Sequence, residues 1–123
     1  MIPKNISGKL GEEYAVKHLE KNGYRIICRN YKTKISEIDI IAADGDCLCF
    51  VEVKTRKSKA FGTALDAVDF HKREKLILGA RCFLSSKPQF QKFRFDVVEV
   101  YGRVEDNGFF VEEINIIKNA FEA

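Results

Sequence analysis

The chain has 123 residues, enough for one domain with a normal core and no need of disulfide or metal staples. Its hydrophobic fraction of 46% and charged fraction of 32% are those of a soluble globular protein, and a formal charge of +3 is too mild to imply nucleic acid by itself. No apolar run reaches membrane-spanning length, and MIPKNISGKLGEE has no apolar core before its first charges. A bilayer helix and a secretory signal are therefore not expected, and the expected compartment is the cytoplasm.

After a short tail, Ser7 can cap a helix running to about Asn22, with Gly23 as its stop. On a wheel of about 100° per residue, Lys9, Glu13, Lys17, Glu20 and Lys21 form a charged face, and Ala15 and Leu19 lie opposite. Glu12 departs from this division. It projects between Leu19 and Val16, where an acid is costly without a partner. The ordinary alternative is that it sits at the stripe's edge or interacts with the helix N-terminus. Tyr24 to Arg29 reads as a strand with Tyr24, Ile26 and Cys28 on one face, and Asn30 to Ser36 as a polar connection.

Residues 37–54, EIDIIAADGDCLCFVEVK, read as a hairpin closed by Asp44-Gly45. That turn sets Ala43 opposite Asp46, Ile41 opposite Leu48, Asp39 opposite Phe50 and Glu37 opposite Glu52. Alternation puts Glu37, Asp39, Ile41, Leu48, Phe50, Glu52 and Lys54 on one face, with Asp39 diagonal to Glu52. Acids and a lysine thus gather at one end of an otherwise apolar face. The set suits a hard cation such as Mg²⁺, held by two carboxylates and a backbone carbonyl, with the lysine free to serve a water or a phosphate. An ordinary cross-strand salt bridge would use the same residues. Of the four cysteines, Cys28, Cys47, Cys49 and Cys82, none forms a CxxC pair; Cys47 and Cys49 are expected as small thiols on the face opposite Glu52.

Lys54, Arg56, Lys57 and Lys59 follow the charged strand end, and Arg25, Arg29, Lys32 and Lys34 precede the hairpin. Such clustering is a phosphate footprint or a solvated loop. A short helical turn is expected over Ala64 to Val68. Asp69 can then cap a helix to about Leu84, with a stripe of Leu76, Ile77, Ala80, Phe83 and Leu84. Lys72 lies on the line of that stripe, unless it snorkels outward from the first turn. Ser85 to Pro88 ends the helix. Phe93 to Tyr101 is an apolar strand, Asn107-Gly108 a second hairpin turn, and Phe109 to Ile114 its returning strand. The long helix between the third and fourth strands suits a parallel crossover, which predicts a mixed α/β sheet with helices against it. His18 and His71 have no nucleophile motif beside them, and no glycine-rich phosphate loop is present.

The stretches GEEYAVKHLEKNGYRIICRNY, SEIDIIA, FVEVKTR, FGTALDAV and RFDVVEV resemble the YraN family of small bacterial proteins, from about Gly8 to Val100, with an echo in NAF at 119–121. That family is similar to the PD-(D/E)xK nuclease superfamily, which includes archaeal Holliday junction resolvases. The resemblance implies a restriction-endonuclease-like αβββαβ core, a mixed sheet flanked by helices, with residues 1–123 as a single nuclease-like domain. It matches Asp39, Glu52 and Lys54 to the catalytic acid, acid and lysine, Glu12 to the acid of the first helix, and Lys72 to the polar residue of the later helix. Ile38 stands where the superfamily's proline would be, and Ser36 where the family's glycine would be. The expected function is a Mg²⁺- or Mn²⁺-dependent endonuclease on DNA, branched or otherwise a repair or recombination intermediate. Asp39, Glu52, the Val53 carbonyl and Glu12 (directly or through water) would hold the metal. Arg56, Lys57 and Lys59 would contact the nucleic-acid backbone, and a homodimer fits cutting of both strands. The rivals are a non-catalytic nucleic-acid-binding module and an interaction protein on a vestigial nuclease fold, docking through its edge strand.

Overall fold

The computed structural model describes residues 4–59, 62–63, 65–87, 89–106 and 108–122. The chain runs α1 (Lys4–Lys21), β1 (Arg25–Lys32), β2 (Glu37–Asp44), β3 (Cys47–Arg56), a 3₁₀ turn (Leu65–Ala67), α2 (Phe70–Leu84), β4 (Lys92–Glu105) and β5 (Gly108–Phe121). The strands form one sheet in the order β1-β2-β3-β4-β5. β3 and β4 are parallel and every other neighbouring pair is antiparallel. This is the mixed α/β sheet that the helix between β3 and β4 predicts, with the arrangement of a restriction-endonuclease-like core.

The two helices cover opposite faces. Ala15 and Leu19 of α1 pack with Ile40, Ala42, Cys49, Val51, Val98 and Val100. Leu76, Ala80 and Phe83 of α2 pack with Ile38, Ile41, Leu48, Phe50, Phe95 and Val97. β3 is the central strand, with β2 and β4 on its flanks and a helix over each face, so it carries near-continuous burial from Leu48 to Glu52.

Several local expectations are corrected. α1 is already helical at Lys4, so Ser7 lies inside it rather than capping it. β1 continues to Lys32, and its register shifts between Ile26 and Cys28. That shift turns the strand over: Tyr24 and Ile26 pack on the α1 side, while Cys28 packs on the α2 side. β4 and β5 run well past the predicted Tyr101 and Ile114, because each has the other as a partner along almost its whole length. Asp69 does cap α2, accepting a hydrogen bond from the Lys72 amide at 3.0 Å. Ala64, Pro88 and Asn107, each part of a predicted turn, lie outside the described residues.

The central hairpin turns one residue later than predicted. Asp44 faces Cys47, so the turn is Gly45-Asp46 and the ladder reads Ala43↔Leu48, Ala42↔Cys49, Ile41↔Phe50 and Ile40↔Val51. Gly45 has φ 62°, the conformation a glycine supplies at the first central position of a II′-type turn. The predicted register instead placed it second, as the Asn-Gly and Asp-Gly turns do. The ladder pairing stops at Ile40↔Val51, and Asp39 and Glu52 are the next residues along, where β2 and β3 part. They are therefore brought opposite one another instead of diagonal. Alternation also slips there, since Ile38 packs on the α2 side and Ile40 on the α1 side.

Candidate active site

Where the two strands separate, the backbone N–H of Val53 still points toward β2, and Asp39 Oδ2 accepts it at 2.8 Å. A carboxylate thus takes the position that β2's backbone would fill had the ladder continued. Glu52, only 3% exposed, sits beside it. Lys54 Nζ and Lys72 Nζ each lie 3.5 Å from Glu52 Oε1. Lys54 comes from two residues along the same strand, and Lys72 comes from the first turn of α2. The helical-wheel oddity of Lys72 is resolved: it leaves the apolar stripe to meet a buried acid.

Glu52 Oε2 is buried and has no hydrogen-bond partner among the described residues. Leaving a buried acceptor unmatched costs about 1–3 kcal/mol, and more for a charge. Burial pushes the Glu52 carboxyl above its usual range, although both lysines oppose the rise. Asp39 is pushed up to about 7, first by burial and then by the neighbouring Glu52 charge; the Val53 amide and Lys72 pull the other way. Two neighbouring acids that both resist ionising favour positive charge beside them, which Lys54 and Lys72 supply on one oxygen of Glu52.

Glu12 reaches the same place from the other face of the sheet. Its side chain is mostly buried, and its carboxyl is raised by burial and by Asp39. Arg29 Nη2 reaches both Glu12 (3.4 Å) and Glu13 (2.8 Å). Glu13 is thus held chiefly by Arg29 rather than by Lys17, its neighbour on the charged face. α1 can come this close because residue 11 is glycine: a Cβ there would run into the Thr55 hydroxyl of β3.

These side chains line a cleft of about 400 Å³ formed by Gly8, Lys9, Glu12, Asn30, Glu37, Asp39, Glu52, Val53, Lys54, Thr55 and Arg56. Four of the predicted five site residues line it directly, and the fifth, Lys72, contacts Glu52. The predicted basic contacts divide. Arg56 lines the cleft and Lys57 is exposed beyond it. Lys59 is engaged elsewhere, 2.8 Å from Glu113 Oε2 of β5 and over the Tyr101 ring. Sequence reasoning missed Arg29 as Glu12's partner, Asn30, which has φ 53° and hydrogen-bonds Glu12, and Thr55. A glycine inside a helix directly before a misplaced acid was the available signal, since it costs about 1 kcal/mol of helix propensity and needs a packing reason.

The donor set fits a hard cation. Two carboxylates stand opposite each other, one oxygen is unmatched, and the backbone of Val53 lies alongside. Among the described residues, no three His, Cys, Asp or Glu side chains converge to hold an ion by themselves. Asp39 and Glu52 are therefore the direct candidates, and Glu12 lines the same cleft.

Residues 11–100 match the model of Uncharacterised protein family UPF0102. A UPF0102 protein of Caldanaerobacter subterraneus subsp. tengcongensis is 43% identical over 122 residues, covering 98% of both chains. Another, of Caldicellulosiruptor saccharolyticus, is 46% identical over 115 residues, covering 93% of this chain and 95% of its own. The chain belongs to UPF0102. This is the YraN family that the motifs resemble, and the matched span contains Glu12, Asp39, Glu52, Lys54 and Lys72. Among the described residues, no helix of this UPF0102 protein is long and apolar enough to cross a membrane.

Proposed function

We propose that this protein is a metal-dependent nuclease that hydrolyses phosphodiester bonds, with DNA as substrate. The observation that carries the reading is the buried, unmatched Oε2 of Glu52, in a cleft that Asp39 and Lys54 also line. A protein that retained the acids only for structure would gain from satisfying that oxygen. Asp39 and Glu52 would hold Mg²⁺ or Mn²⁺ together with the Val53 carbonyl, and Glu12 would add a contact through water. The bound ion would lower the pKa of a water and offset charge on the phosphate. Lys54, anchored on Glu52 Oε1, presents its ammonium to the attacking water or to the charge that builds on the phosphate oxygens. Lys72 approaches the same carboxylate from α2 and would meet the scissile phosphate. The water oxygen bonds to phosphorus as the P–O ester bond breaks, and the proton lost from water ends on the leaving oxygen.

Arg56 at the cleft mouth and Lys57 beyond it would hold the nucleic-acid backbone without reading sequence. Lys59 would join them only by leaving Glu113. A domain this small cannot surround a duplex, so cutting both strands would take a symmetric pair of chains. Labelled branched, single-stranded and duplex DNA and RNA, incubated with Mg²⁺ or Mn²⁺, test the reading. Wild type should cut at least one DNA structure, and Glu52→Ala should cut none while still binding. Binding without cleavage by wild type, and without divalent-ion binding in calorimetry, would leave a non-catalytic nucleic-acid-binding module in its place.

A further inference from the structure

A second cleft, of about 350 Å³, adjoins the first and shares Glu37 with it. Its lining is Lys32, Thr33, Ile35, Ser36, Glu37, Lys72, Lys75 and Leu76. The charges of the two clefts differ. The first has four acids against three cations, whereas the second has three lysines against Glu37 alone. Lys72 belongs to both places: it lines the second cleft, and its Nζ reaches Glu52 in the first.

The walls are fixed. Lys72 and Lys75 are three residues apart on α2, so they share a helix face. A Cβ at Gly79 would come within 2.6 Å of Ser36 Oγ, so α2 lies directly against the β1–β2 connection. The connection is a tight turn. The Thr33 amide donates to the Ser36 carbonyl at 2.8 Å, and Thr33 Oγ1 accepts the amides of Ser36 (3.0 Å) and Ile35 (3.3 Å). The turn holds Ile35 outward, 59% exposed, at the rim. On the floor, the buried Ser36 hydroxyl has no partner among the described residues. Lys32 and Lys75 make no ion pair among the described residues, although Glu37 lines the same cleft.

We propose that this second cleft is a phosphate-binding subsite for the substrate strand. It would hold a phosphate next to the scissile one between Lys32, Lys75 and Lys72, with Ile35 against the adjoining sugar or base. The inference rests on the nuclease reading and adds to it the path of the strand, from the Glu52 cleft across Lys72 toward the β1–β2 turn. An apolar side chain held rigidly beside a phosphate cradle favours a strand whose bases are not paired at that point.

The test is anisotropy titration of a short fluorescein-labelled single-stranded oligodeoxynucleotide, with EDTA present, across a salt series. The variant is Lys32→Gln/Lys75→Gln, with Lys17→Gln/Lys21→Gln on α1 as a charge-matched control. Both pairs are exposed, and thermal melts check that the variants fold. The Lys32/Lys75 variant should bind roughly 10-fold more weakly, and the salt dependence of log K should flatten by about 0.7, the value for one phosphate of a single strand. The control should keep the wild-type slope. A Lys32/Lys75 variant that loses no more than the control overturns the subsite, as does a wild type that does not bind. Cleavage is scored separately. If wild type cuts but the variant binds normally, only the subsite falls. If binding runs through Lys32 and Lys75 but nothing is cut, the nuclease reading falls and the phosphate site stands.

Discussion

Asp96 and Glu52 are both buried carboxylates on neighbouring strands of one sheet, and their surroundings differ completely. Asp96, 0% exposed, accepts hydrogen bonds from Tyr24 (2.9 Å), from Arg94 Nε (2.9 and 3.1 Å) and from the Asn119 amide (2.9 Å). Arg94 is in turn tied to Asp44 at 2.7 Å, and Lys118 reaches Asp44 as well. Every lone pair around Asp96 has an assigned role, and the network joins β1's start, β2, β4 and β5. Glu52 has two lysines at 3.5 Å on one oxygen and, among the described residues, no hydrogen-bond partner on the other. A buried acid kept for stability is saturated. Glu52, half-matched beside a second acid in an open cleft, lacks that saturation, which is what the proposed function rests on.

The comparison is broken most severely if the two acids respond alike to neutralisation. Glu52→Gln should lower cleavage by about 10³-fold or more, and Lys54→Ala by about 10²–10³-fold, as for loss of a group that stabilises transition-state charge. Single-turnover assays with saturating Mg²⁺ check both. Glu52→Gln should not lower the unfolding free energy in EDTA, since the site is under-satisfied to begin with, whereas Lys54→Ala takes one of two cations from a buried carboxylate and should lower it. Asp96→Asn should do the reverse of Glu52→Gln. It leaves Arg94 with Asp44 but without its buried charge partner, sets an amide N–H among donors, and should cost about 3–5 kcal/mol in urea unfolding, with little effect on cleavage by the protein that remains folded.

The next effect is in pH. An unfolded aspartate ionises near pH 4, but Asp39 in the fold does so at about 7. Between those values the folded state binds more protons than the unfolded one, so stability in EDTA should fall as pH rises from about 4 to 7. Asp39→Asn should flatten that part of the profile in thermal melts between pH 5 and 8, and wild type should bind divalent ion more tightly at pH 8 than at pH 6. A wild-type melting temperature that climbed over this window, with Asp39→Asn identical to it, would contradict the burial of Asp39. Smaller again is Gly11→Ala. The added methyl meets Thr55 and should cost about 1–3 kcal/mol by overpacking. It should also lower activity by moving Glu12 off the cleft, which a stability-matched core variant would not do.

Much of the site was legible before the fold was seen. Charged residues on an apolar pattern cost free energy wherever they are placed, so Glu12, Asp39, Glu52 and Lys72 each stood out against their own strand or helix period. What misled was local geometry. The hairpin was shifted because Asp-Gly and Gly-Asp both make good two-residue turns, and the chain DGD offers both. The shift moved the pairing by two residues, which preserves the strand faces, so the acids still met. The partners of Arg29 and Lys59 were not legible because Glu12, Glu13 and Glu113 are distant in sequence.

By itself the sequence determined the order of elements, the parallel crossover through α2 and the identity of the charges that do not belong to a core. Those follow from periodicity, turn chemistry and loop length, all local quantities. The tertiary structure alone decided which charges are satisfied. Asp96 and Glu52 look equivalent in the strands FRFDVVEV and CFVEVK. They differ because long-range packing brings Tyr24, Arg94 and Asn119 to one, while the parting of β2 from β3 leaves an oxygen of the other unmatched.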